Sequence, residues 1–196
     1  DYFFGMVGNT VNSPCLMEND RPIFRGFGKG PEIAGVSRKL LDNWEERNSL
    51  PVLTEKAVWY INQQVDRKPS RPFFLYFALT APHSPMIPYG EFRGKTGHGD
   101  SCDFVAQVDD TVGRVLTALQ RNGLAENTLV LFTSDNGSPG FADEGAPTAS
   151  VIRKYGHLPN GKWRGMKGDA HEGGHRVPLI ARWPGKIPAG TTCDET

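Results

Sequence analysis

"TLVLFTSDNG", residues 128–137, is an apolar run that stops abruptly in Asp135-Asn136-Gly137. Asn-Gly after such a run is the strongest short-range hairpin signal. A hairpin needs a returning strand, yet "SPGFADEGAPTASVIRKYGHLPNGKW", residues 138–163, is polar, rich in Gly and Pro, and lacks alternation. The stretch therefore reads as a strand that delivers Asp135 and Asn136 to a sheet edge and then opens into a long loop.

Upstream, Val105, Val108, Val112, Val115, Leu116 and Leu119 recur at helical spacing, with Asn122-Gly123 as a C-terminal stop. Further back, "PFFLYFAL", residues 72–79, is apolar throughout and too short for a helix, the pattern of a parallel strand covered on both faces. Before it, Ala57, Val58, Ile61 and Val65 predict a helix with Thr54 as N-cap and "KPSRP", residues 68–72, as its stop. Downstream, "VPLIARW", residues 177–183, reads as a third strand, and residues 1–50 read as irregular or short-stranded. Helix, strand, helix, strand is the order of an α/β fold with right-handed crossovers, so a mostly parallel sheet flanked by helices is expected. Ligands in such sheets sit outside the carboxyl ends of the strands. If the strands at 73–79 and 128–134 run parallel, His83 and Asp135-Asn136 share one edge.

The 196 residues carry 22 basic and 22 acidic side chains, interspersed, which argues against a nucleic-acid partner. The longest purely apolar run, Phe73 to Leu79, falls well short of the roughly 20 residues that span a bilayer. "DYFFGMVGN", residues 1–9, has neither the basic start nor the cleavage site of a signal peptide. Cys15, Cys102 and Cys193 lie far apart and outside any paired motif, so they read as plain thiols, with their disulfide state open.

Asp135 and Asn136 offer two hard oxygen donors suited to Ca²⁺ or Mg²⁺, although Asp, Asn and Gly also dominate ordinary turns. His83 lies between Pro82 and Ser84-Pro85, which stiffen its backbone; a lone loop histidine is more often a plain surface residue, and its place after a strand's carboxyl end puts a functional role on a level with that reading. "KWRGMKGDAHEGGHRVP", residues 162–178, sets Lys167 among glycines that let backbone amides approach an anion, or else forms a solvated charged loop. Lys167 precedes a strand, so only the length of the loop allows it to reach the active edge.

Three other patterns fail. "GHLPNGK", residues 156–162, fits G-x-x-x-x-G-K, but Trp163 stands where Ser or Thr is required and no helix is expected after it. "GFGKG", residues 26–30, lacks the preceding strand and following helix of a dinucleotide site. Asp109-Asp110 lies mid-helix, where neighbours point about 100° apart, so a shared metal is not expected.

Taken together, "DYFFGMVGN", "APHSP" (81–85), "GLAENTLVLFTSDNG" (123–137) and "RGMKGDAHEGGHRVPLIARWPG" (164–185) resemble the sulfatase family, the arylsulfatase-like branch of the alkaline-phosphatase superfamily. The resemblance implies an alkaline-phosphatase-like α/β fold, incomplete here, and a sulfuric ester hydrolase acting on a sulfated glycan or aryl sulfate. It matches Asp135 and Asn136 to metal ligands, usually of Ca²⁺. His83 matches the histidine at the sulfate or leaving-group oxygen, and Lys167 the lysine that neutralises the sulfate. Glu172, Gly173, Gly174, Arg176 and Pro178 match a segment that frames the site, whereas His171 has no implied role. The family's nucleophile, a formylglycine made in C/S-x-P-x-R, is not encoded in these residues, nor are the paired Asp ligands of an early strand or the Lys and His of a second motif. Residues 1–196 are therefore expected to be the central part of a single catalytic domain, inactive alone. Alternatives are a phosphatase, phosphodiesterase or phosphonate hydrolase on the same fold, or a metal-binding remnant without activity. The family suggests a periplasmic, secreted or lysosomal location.

Overall fold

A computed structural model describes residues 1–6, 15–66, 71–139 and 154–193. The chain divides into two compact units, Asp1–Ala118 and Leu119–Thr196.

The first unit opens with three short antiparallel strands, β1 (Phe4–Met6), β2 (Cys15–Glu18) and β3 (Arg21–Arg25), in the order β1-β2-β3. Two residues join β2 to β3, and Asn19 turns the corner with φ 55°, a conformation that Asn tolerates better than most residues. Leu16 of β2 is fully buried and joins Ile33, Leu40, Leu41, Trp44 and Val52 in one apolar core. The short helix α1 (Arg38–Leu41) contributes Leu40 and Leu41, and Phe24 of β3 meets Trp44 edge-on at 6.1 Å between ring centroids.

Helix α2 (Ser49–Asp66) begins five residues before the expected cap. Pro51 explains the shift: in the first turn its missing N–H costs nothing. Thr54 lies inside the helix, where its hydroxyl donates to the Leu50 carbonyl at 2.7 Å and bonds to the Thr111 hydroxyl at 3.1 Å. The expected stop lies mostly outside the described residues.

Residues 72–80 form no ladder among the described residues, so the expectation of a strand covered on both faces is not met there. Phe73, Leu75, Phe77 and Leu79 are half-buried, while Phe74 and Tyr76 are 87% and 81% exposed. A continuous apolar run conceals such a two-residue period, because both faces carry apolar side chains.

Helix α3 (Asp100–Arg121) forms where expected, but its buried face is rotated. Asp103, Phe104, Gln107, Val108, Thr111, Ala118 and Leu119 are buried, and Val105 is 53% exposed. Three of these inward residues are polar and partnered, which a search for apolar spacing overlooks. Asp109 and Asp110 are exposed, as a polar face requires. The helix ends as expected: the Gly123 amide donates to the Gln120 carbonyl at 3.0 Å and the Leu124 amide to Leu119 at 2.9 Å, the paired bonds of a Schellman cap.

In the second unit, β4 (Val130–Thr133) pairs antiparallel with β5 (Leu179–Arg182), with Val130 opposite Arg182 and Thr133 opposite Leu179. A four-residue helix, α4 (Glu172–His175), precedes β5. The chain is α/β as expected, although the ladders among the described residues are all antiparallel.

Candidate active site

The direction of β5 decides what surrounds Asp135. Because β5 runs against β4, the chain entering β5 lies beside the chain leaving β4. The expectation that Lys167 depends only on loop length therefore gives way to topology, which carries residues 164–178 to the carboxyl end of β4.

Backbone bonds join the two sides there. The Gly137 amide donates to the Gly174 carbonyl at 2.9 Å, and the Lys167 amide donates to the Ser138 carbonyl at 2.9 Å. The approach is too close for side chains: a Cβ on Gly137 would overlap the Gly173 carbonyl oxygen, and one on Gly173 would overlap the carbonyls of Gly165 and Arg164. This gives Gly173, expected to frame the site, a steric reason for its identity. On the facing side the Gly173 amide donates to Arg164 at 2.8 Å, and the Met166 amide is capped by the Asp169 carboxylate at 3.0 Å.

Asn160 adds a side-chain clamp that the sequence analysis did not single out. Its Oδ1 accepts the Ser138 amide at 2.8 Å, and its Nδ2 donates to the carbonyls of Ser138 at 3.3 Å and Gly165 at 3.2 Å. The available signal was an Asn-Gly pair inside a pattern dismissed as a phosphate loop. That dismissal agrees with the structure, since residues 159–162 form a turn and no helix follows.

Asp135 is exposed, and its carboxylate makes no hydrogen bond or ion pair among the described residues. The Asn136 Nδ2 donates to the Gly137 carbonyl at 3.0 Å, which orients the amide and leaves Oδ1 as an acceptor. Two adjacent oxygen donors of this kind fit a hard divalent cation as part of its shell. Among the described residues no cluster of three His, Cys, Asp or Glu completes one. Lys167 is exposed and makes no salt bridge among the described residues, so its ammonium can meet an anion.

Glu172 and Arg176 pair across one turn at 2.8 Å, and that hydrogen bond holds the Glu172 carboxyl below its ordinary range. The Arg176 guanidinium also lies over the Trp163 ring at 4.3 Å. The pair serves the frame around the site, with its charge internally balanced.

His83 belongs to the first unit, so Asp135, Asn136 and Lys167 are the candidates brought together within one unit. Its Nδ1 donates to the Ser84 carbonyl at 2.6 Å, which fixes the ring and leaves Nε2 as the nitrogen without a hydrogen bond among the described residues. The glycine-rich residues 26–30 do follow a strand, β3, contrary to expectation. Their amides are nevertheless committed: Gly28 bonds reciprocally with Trp44 and Gly30 donates to Leu41 at 2.7 Å, leaving neither for a phosphate. Cys15 is buried, Cys102 half-buried and Cys193 exposed, and all three are free thiols.

Comparison with known proteins gives the family. The sulfatase family profile matches residues 14–195. An N-acetylgalactosamine-6-O-sulfatase of Bacteroides thetaiotaomicron is 38% identical over 144 residues, 74% of this chain and 27% of the relative. The mouse N-acetylgalactosamine-6-sulfatase is 39% identical over 172 residues, 86% of this chain and 30% of the relative. A solved Bacteroides thetaiotaomicron structure, described under the metabolism of multiple glycosaminoglycans, superposes with a TM-score of 0.76 at 28% identity, covering 95% of this chain and 46% of that one. The chain spans less than a third of either curated relative's length. With a profile match over almost its whole length and an α/β architecture shared with solved sulfatases, the chain belongs to the sulfatase family, within the alkaline-phosphatase superfamily.

Proposed function

We propose that the complete protein containing residues 1–196 hydrolyses a sulfate ester of a carbohydrate, with this chain as the central part of its catalytic domain. The observation that supports the reading is the bond from the Lys167 amide to the Ser138 carbonyl, which joins the Lys167 backbone to the chain that leaves the strand end bearing Asp135 and Asn136. The names of the two curated relatives, both sulfatases of an amino sugar, support carbohydrate as the substrate class.

In this reading Asp135 and Asn136 supply two ligands of a divalent metal, Ca²⁺, with further ligands encoded elsewhere. That cation supplies Lewis-acid stabilisation of charge on a sulfate oxygen. Lys167 offsets charge on the equatorial oxygens, an interaction worth most in a site that excludes water. His83 serves the leaving oxygen. With Nδ1 committed to the Ser84 carbonyl, Nε2 carries a proton to give only in the imidazolium form. Bond making falls to a formylglycine encoded outside this chain, so residues 1–196 alone release no sulfate.

The test is sulfate release by the complete protein from sulfated saccharides, measured by ion chromatography before and after chelation. Release that chelation abolishes and Ca²⁺ restores is expected. Turnover of phosphate esters alone would overturn the reading.

A further inference from the structure

Asn160 bonds at once to both sides of the edge described above, and no other side chain among the described residues is recorded doing so. Ser138 lies three residues past Asp135, and Gly165 lies two residues before Lys167. The Asn160 amide binds the N–H and the C=O of Ser138 as a neighbouring strand would, at a point where the chain has already left the β4 ladder. Its second Nδ2 proton goes to the Gly165 carbonyl, on the segment that carries Lys167. The Ser138 carbonyl thus receives both Asn160 and the Lys167 amide, so one side chain registers the two halves against each other. An amide is the side chain of this length with an acceptor and two donors; a carboxylate lacks the donors and a hydroxyl lacks the reach.

We propose that Asn160 is a positioning residue that holds Lys167 in register with Asp135-Asn136, acting through the Ser138 and Gly165 backbone without touching the substrate. The proposal rests on the reading of that edge as the metal- and sulfate-binding site. Misplacing a catalytic group by about 1 Å costs on the order of 100-fold in rate, so a lost clamp should appear in turnover.

The experiment compares Asn160→Ala and Asn160→Asp in the complete protein. Asn160→Asp keeps the size and the acceptor for the Ser138 amide, and it carries the test if Asn160→Ala does not fold. The expected result is a fall in kcat of roughly 30- to 100-fold with KM changed less than about 3-fold, because the lost register matters most in the transition state. Combined with Lys167→Ala, the loss should not multiply, since a clamp acting through Lys167 has little left to position. Amide hydrogen exchange should rise at Ser138 and Lys167 in Asn160→Ala and at Lys167 in Asn160→Asp, where the new carboxylate still accepts the Ser138 amide. A kcat within about 3-fold of the parent despite faster exchange, or losses that multiply in full, would overturn the positioning role. Should the parent release no sulfate, the functional reading fails by itself, and exchange still decides the clamp: unchanged protection in the variants refutes it.

Discussion

The two units are held together by different means. In the first, six apolar residues from β2, α1, α2 and the loops between them form one buried core around Trp44, which is 0% exposed. In the second, the described ladder of β4 and β5 keeps Leu131, Leu179 and Ile180 more than half exposed, and the site segment is joined by amide-to-carbonyl bonds and glycine contacts. Burial is indifferent to direction, whereas a backbone clamp tolerates little displacement. The contrast teaches where a substitution should register: in stability for the first unit, in turnover for the second.

The largest expected effect lies in the core. Trp44→Ala removes a fully buried ring and should destabilise the first unit by about 3–5 kcal/mol, with much of the loss coming from the cavity left behind. Exchange of the Gly28 amide, which bonds to the Trp44 carbonyl at 3.0 Å, reads that opening directly. Protection retained at Gly28 would mean that the core does not rest on Trp44, and the contrast between units would lose its first half.

Lys167→Ala tests the other half. Removing one charge partner of a developing oxyanion costs about 10²–10³-fold in kcat, while loss of an exposed ammonium that makes no salt bridge among the described residues should leave stability within about 0.5 kcal/mol. Turnover equal to the parent would remove Lys167 from the chemistry. A large fall in thermal stability would instead make it a structural residue and break the comparison.

These positions also show what the sequence disclosed. Asp135 and Asn136 stood out in the sequence because strand-end chemistry and the sulfatase resemblance pointed to the same two residues, whereas Lys167 rested on its glycine-rich surroundings and the resemblance alone. The α/β order was legible from helical spacing and apolar runs. Strand direction was not: nothing in "VPLIARW" distinguishes a parallel from an antiparallel strand, and that single fact brings Lys167 to the edge. Likewise, the period hidden in 73–79 and the inward polar face of α3 escape a method that counts apolar residues. Asn160 was passed over because a clamp exists only once both of its sides are placed.

The polar residues of α3 supply the smallest and most specific test, since they belong to the first unit yet work as the second unit does. Asp103 is fully buried at the start of the helix. Its carboxylate accepts the amides of Gly94 at 2.6 Å and Thr96 at 2.8 Å and the Thr96 hydroxyl at 2.6 Å. Burial by itself would push the carboxyl up, but these bonds, with the nearby His98, outweigh it and hold the group below its ordinary range. A carboxyl depressed in the folded state contributes stability above its unfolded value, near pH 4, and loses it as pH falls through the folded value. Asp103→Asn should therefore cost about 1–3 kcal/mol at neutral pH, because a buried amide presents donors to donors, and should abolish the acid-dependent part of the opening. Exchange of the Gly94 and Thr96 amides, corrected for intrinsic rate, measures both. If the parent and the variant open in parallel as pH falls, the carboxylate does not hold this loop, and polar clamps would then be confined to the edge around Asp135 and Lys167.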